Sequence, residues 1–309
     1  MIKVNSKWLA TTAAVVLGLA SVAAQAEKAI MPFILGSTST GGDVASKVAD
    51  VKAALQSKGF EIAGDYSPYP TAHIIVVTNG DLLKAAASHE RAGYAAAQRV
   101  SITKVGDQVQ ISYTNPVYMG AAYQVTTDLS GVASSLKSAL GAIKEYGPAE
   151  GKTPEQLKSY HYTFGMEYFD EPYELTSYGS HKEAVAEVEK GLASNPTTTK
   201  VYRIDIPGTK QTLFGVGMRA SEGGNKYMDD NFIMTEIDFK ETRSTAHLPY
   251  EVLVNGGDIE ALHARFRIAM NFPDLSMMGA NSFMNIMPSP DAIKEALTKA
   301  VGGEVASDF

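Results

Sequence analysis

One local pattern occurs twice along the chain and limits the folds open to it. An amphipathic helix is followed by short β-rich segments and then by a closing helix. In the first occurrence Val44, Val48, Val51 and Leu55 recur at spacings of four, three and four, which lines them on one helical face. Asp43 is placed to cap this helix and Gly59 to end it. A β segment at 60–63 follows, then a turn-rich stretch at 66–70, then a β-branched run at 73–78. Asn79-Gly80-Asp81 opens a second helix over 82–97. Residues 99–104 and the alternating Val109, Ile111 and Tyr113 form a hairpin about Val105-Gly106-Asp107, and a helix over 129–146 closes the unit.

The second occurrence is looser. Val185, Val188 and Leu192 mark a helix over 181–192. Strands are expected at 200–206, 211–218 and 265–270, and a last helix at 291–301. Matching Val48 to Val185 gives an offset of 137, and matching Asn115 to Asn271 gives 156, so the second copy is about 19 residues longer, with the excess placed within 221–255. Gly147-Pro148 breaks the preceding helix, and Thr153-Pro154-Glu155 starts a new one. The expected organisation is a first half at 27–147, a linker at 148–154 and a second half at 155–309. The expected fold class is α+β: two related halves, each a mainly antiparallel sheet with helices packed on one face.

A family resemblance rests on Lys58-Gly59-Phe60 at the helix end, Ala92-Gly93-Tyr94, the Gly106-Asp107 hairpin and Asn115-Pro116-x-x-Met119. On these residues the segment 44–146 resembles the bacterial domain of unknown function 302, with a fainter likeness over 264–300. The resemblance implies a compact α/β sandwich with an antiparallel sheet and helices on one face. It implies no activity and no site residues.

The first 26 residues read as a cleavable secretory signal. Lys3 and Lys7 make a positive start, residues 9–22 are apolar, and Ala24-Gln25-Ala26 is a small-x-small cleavage pattern. The apolar core is short of the roughly 20 residues that span a bilayer, and no later stretch approaches that length. A periplasmic or secreted protein with no membrane span after signal cleavage is expected. Cleavage removes two lysines and no acids, so the formal net charge moves from −7 to −9. Nucleic acid is a poor partner for such a chain, because its affinity comes from phosphate neutralisation. The absence of cysteine excludes disulfides, thiolate metal sites, iron–sulfur clusters and a Cys nucleophile. Trp8, the only tryptophan, lies in the leader.

No motif names a reaction. Gly36-Ser37-Thr38-Ser39-Thr40-Gly41 has P-loop glycine spacing, but Gly42-Asp43 stands where Lys-Ser/Thr is needed, so a solvated loop is expected there. There is no G-x-S-x-G, and no histidine lies three to five residues from another. Two stretches stand out. Met270, Met277, Met278, Met284 and Met287 follow His263, a set of thioethers and imidazole suited to copper or haem, or else a flexible apolar groove. Tyr160, Tyr162, Tyr168 and Tyr173 crowd one segment with Phe164 and Phe169, an aromatic patch for a ligand or partner. The leading expectation is non-catalytic binding of a small apolar ligand or a periplasmic protein. The alternatives are copper or haem binding, and an enzyme whose site is assembled only in the fold. The cofactor stays unknown.

Overall fold

The computed structural model describes residues 28–305. The expected leader at 1–26, with its expected cleavage site and Trp8, lies outside the described residues. The elements run β1 (Phe33–Thr40), α1 (Val44–Gln56), β2 (Glu61–Tyr66), β3 (Ala72–Thr78), α2 (Gly80–Ala86), β4 (Gln98–Val105), β5 (Gln108–Thr114), α3 (Pro116–Ala122), α4 (Ser130–Leu140) and β6 (Lys144–Tyr146). They continue with α5 (Pro154–Lys158), β7 (Tyr173–Ser177), α6 (His181–Ser194), β8 (Thr198–Ile206), β9 (Gln211–Met218), α7 (Asp230–Ile237), β10 (Tyr250–Asn255), β11 (Asp258–Ala261), α8 (Ala264–Asn271) and α9 (Ser289–Ala300). Among the described residues, no helix is long and apolar enough to cross a membrane.

The fold is α+β. All strands join one sheet in the order β6-β1-β5-β4-β3-β2-β8-β9-β10-β11-β7, and every pairing is antiparallel. Outward from the middle, the order is β2-β3-β4-β5-β1 on one side, with β6 added at its edge, and β8-β9-β10-β11-β7 on the other. The sides meet at Gly64 and Tyr202, and β2 and β8 each carry an irregularity beside that contact. A Cβ at Gly64 would stand 2.0 Å from the Val201 carbonyl oxygen, so glycine is what lets the two backbones close.

Helices cover one face: α1 packs on β2, β3 and β4, α4 on β1, α6 on β8 to β11, and α9 on β7 and β8. Asp43 caps α1 by accepting from the Ser46 N–H at 2.7 Å, and Ser180 caps α6. Connections cover the other face, and they cross over. The 3-10 turn at Ala92–Ala96, between β3 and β4, lies on β8, β9 and β10. The turn at Thr245–His247, between β9 and β10, lies on β3, β4 and β5. A glutamine holds each crossing. Gln211 donates to the His89 carbonyl and accepts from the Gly93 N–H, both at 3.2 Å. Gln110 donates to the Glu241 carbonyl at 2.8 Å and accepts from the Arg243 N–H at 3.0 Å.

Between the crossings lies a closed ionic group. Arg99 on β4 donates to Glu251 on β10 at 2.8 Å, and Tyr202 donates to the same carboxylate oxygen at 2.8 Å. Arg267 on α8 is 3.5 Å from the other oxygen and donates to the Pro249 and His247 carbonyls. All three charged side chains are at most 2% exposed, so each depends on its partners for solvation.

Several elements differ from the sequence reading. The stretch 36–42 is no solvated loop: Gly36 to Thr40 belong to β1, paired with β5, while β6 flanks Phe33 to Leu35. The long helix at 82–97 stops at Ala86 and resumes as a 3-10 turn of buried small residues. The helix at 129–146 ends at Gly141, whose φ of +83° suits glycine, and the chain returns as β6. The segment 265–270 is a helix, not a strand. Its alternation misleads because Arg267, the residue that reads as solvent-facing, is buried. The Asn115–Asn271 match also fails, since Asn115 caps the start of α3 and Asn271 ends α8. The connection between β9 and β10 runs over 219–249, and the one between β3 and β4 over 79–97.

Candidate ligand-binding site

The Tyr-rich and Met-rich stretches meet alongside α8. The loop from α5 to β7 carries the tyrosines, and the loop from α8 to α9 carries most of the methionines. The second loop is closed on itself by Phe283 N–H to Ser276 O at 2.8 Å and Met284 N–H to Met277 O at 3.2 Å. It is tied to α7 by Asn285 donating to Glu236 at 2.8 Å. Between the two loops runs an open apolar groove of about 290 Å³, with Tyr162, Met166, Phe272, Met277, Phe283 and Met287 in its walls and Ile268 and Ala269 of α8 in its floor. Arg265 is the one cation among its lining residues.

A wider, polar cavity of about 800 Å³ adjoins the groove and shares Met166 with it. Glu167 stands between the two. Its Oε1 is 3.1 Å from His263 Nε2 and accepts from Arg265 at 3.0 Å, while its buried Oε2 has no hydrogen-bond partner. His263 caps α8, its Nδ1 accepting from the Arg265 N–H at 3.3 Å. Nε2 therefore carries the ring proton, 3.1 Å from the Glu167 carboxylate. Burial, reinforced by the Arg265 charge, pushes the His263 pKa down to about 4, so the ring is neutral at pH 7.

The candidate residues divide among four places. Tyr162, Met277 and Met287 line the groove. His263, Tyr168 and Tyr173 line the polar cavity, where Tyr173 and His263 pack with ring centroids 4.0 Å apart. Tyr160 and Met270 are in the core, the Tyr160 hydroxyl donating to the Ala269 carbonyl at 2.9 Å. Met278, 74% exposed, and Met284 face solvent beside the groove. A copper or haem site built from His263 and the five methionines does not fit this arrangement. Both nitrogens of His263 are engaged, Met270 is sealed, and the other four sulfurs do not share a cavity. Among the described residues no group of three or more His, Asp or Glu is arranged to hold a metal ion.

No family model, curated protein or solved structure matches the chain.

One nucleophile-like constellation lies elsewhere. On the β2–β3 hairpin, Ser67 Oγ is 2.9 Å from His73 Nδ1, and His73 Nε2 is 3.0 Å from Asp65. Asp65 is also held by Lys52 at 2.6 Å. Ser67 is on an exposed turn, and Pro68 follows it, so the N–H that completes an oxyanion hole in many acyl-transfer sites is missing. None of the cavities described above adjoins it. The arrangement serves as a lock on the hairpin.

Sequence reasoning found the two stretches but not what joins them. Met166 gave no signal, and nothing tied Glu167 to Arg265, because the pair spans 98 positions. Ile268 and Ala269 were assigned to a strand, whose alternation would have put them on opposite faces. On a helix, adjacent residues share a broad face, and both reach the groove.

Proposed function

We propose that this chain binds one small apolar ligand in the groove beside α8 and performs no chemistry on it. The observation that carries the reading is the convergence of two segments, 162–166 and 265–287, on one apolar cleft with an open mouth. Binding clefts of this kind combine apolar walls with few polar groups, which is the make-up of this one. Methionine suits such walls because its unbranched, polarisable side chain adapts to ligand shape. The leader at 1–26 supports binding in the periplasm or outside the cell.

Calorimetric titration with decanol tests the reading. The wild-type chain is expected to bind with one-to-one stoichiometry. Met287→Glu puts a carboxylate in the groove wall and is expected to weaken binding by at least about tenfold, the worth of roughly 1.4 kcal/mol. Met284→Glu adds the same charge on the same loop outside the groove and is expected to leave binding intact. Equal effects of the two substitutions would remove the groove from the account.

We also infer that the chain arose by duplication. Support comes from the mirrored strand order about the β2–β8 contact and from the paired irregularities beside it. The resemblance of 44–146 to the domain of unknown function 302 stands as part of the same proposal, and it brings no site residue.

A further inference from the structure

The polar cavity beside the groove has a composition the apolar reading does not use. Four carboxylates line it, Glu167, Glu171, Glu174 and Asp291, against one cation, Lys294. Glu167 is neutralised by Arg265. Glu171, Glu174 and Asp291 make no ion pair among the described residues, although Glu171 accepts from the Tyr168 N–H at 2.9 Å. Aromatic faces stand among these acids. His161 and Tyr168 stack with centroids 4.3 Å apart, and Tyr173 packs on His263. The chain already places an ammonium here, since Lys294 Nζ lies 5.5 Å from the centre of the Tyr173 ring. Carboxylates and ring faces together attract cations and repel anions. His263 adds no positive charge at pH 7, because it is neutral there.

Continuity with the groove sets the rest of the ligand's shape. Met166 belongs to both walls, and Glu167 bridges the residues that line each side. We propose that the ligand is a cationic amphiphile, with its apolar tail in the groove and an ammonium head in the acidic, aromatic cavity. This rests on the groove reading and names the head group that reading leaves open.

The test compares three probes of one tail length at monomer concentrations: decyltrimethylammonium, decanol and decyl sulfate. Each is titrated calorimetrically into the full chain. The expected order is ammonium tightest, decanol next and sulfate weakest. The ammonium is expected to lead decanol by roughly tenfold at low salt, and the lead to shrink in about 0.5 M salt. The double variant Glu174→Gln with Asp291→Asn is expected to lose that lead while decanol binds as before, which also shows that the variant is folded. Decanol binding without an ammonium preference overturns this inference and leaves the groove reading standing. An ammonium preference that survives unchanged in the double variant places the head elsewhere and also overturns it. Failure of all three probes to bind overturns both.

Discussion

Asp230 is an acid whose burial changes its chemistry. It begins α7 fully buried, where its Oδ2 accepts from the Met218 N–H at 3.0 Å and the Tyr66 hydroxyl at 3.1 Å, while Oδ1 has no partner. Burial raises its pKa to about 7, outweighing those two hydrogen bonds. The folded state therefore holds this proton more tightly than the unfolded chain does. The stability linked to it is fully present below about pH 4 and is lost as pH rises through about 7. Asp230→Asn keeps an acceptor for Met218 and Tyr66 and removes the charge. The variant is expected to gain on wild type as pH rises from 4 to 8, by on the order of 1–3 kcal/mol, in thermal melts taken across that range. A constant difference between the two proteins across pH would refute the assignment. None of this was visible in the sequence. Nothing in the sequence distinguishes Asp229 from Asp230, and burial alone separates them: Asp229 caps α7 from its edge while Asp230 is closed in.

At the scale of elements, the parts that were legible are those with a one-sided environment. Helices α1 and α6 lie on one face of the sheet, so their apolar residues repeat with the helical period and their ends carry ordinary caps. The β4–β5 hairpin was legible for another reason: both its faces are buried, but one carries Arg99, Ser101 and Thr103, so the polar–apolar alternation survives, and Gly106 at a φ of +57° makes the turn. What failed was buried on both sides or made of small residues: β1 with its Gly-Ser-Thr run, the alanine-rich turn after α2, and α8 with Arg267 inside. Strand β10 shows how much a buried charge can hold together. Glu251 joins β4 through Arg99, β8 through Tyr202 and α8 through Arg267. Glu251→Ala leaves two buried guanidinium groups without a counter-charge and is expected to destabilise the protein by about 3–5 kcal/mol in urea unfolding. Adding Arg99→Met to that variant is expected to return part of the loss, because it removes one of the stranded charges. A loss below about 1 kcal/mol for Glu251→Ala would mean that water reaches the group.

At the scale of the whole molecule, the crossing connections make one body of the two sides. Each side's β-strand connection lies on the other side's strands and is held by a glutamine from the strand beneath. One face of the sheet is thereby closed by helices and the other by crossings. The groove lies along α8 and its acidic neighbour beside His263 at the start of that helix, where two long loops of the second side meet. The two loops were the features that stood out in the sequence, and their meeting depends on a helix placed by a buried arginine.

The central claim is that an apolar ligand occupies that groove, and methionine methyl groups report on it directly. In a spectrum of methyl-labelled methionine recorded with and without decanol, Met166, Met277 and Met287 line the groove and are expected to shift. Met119, Met218 and Met270, sealed in the core, are expected to stay in place. Decanol that leaves the three groove resonances unmoved, or moves the core set instead, would contradict the account.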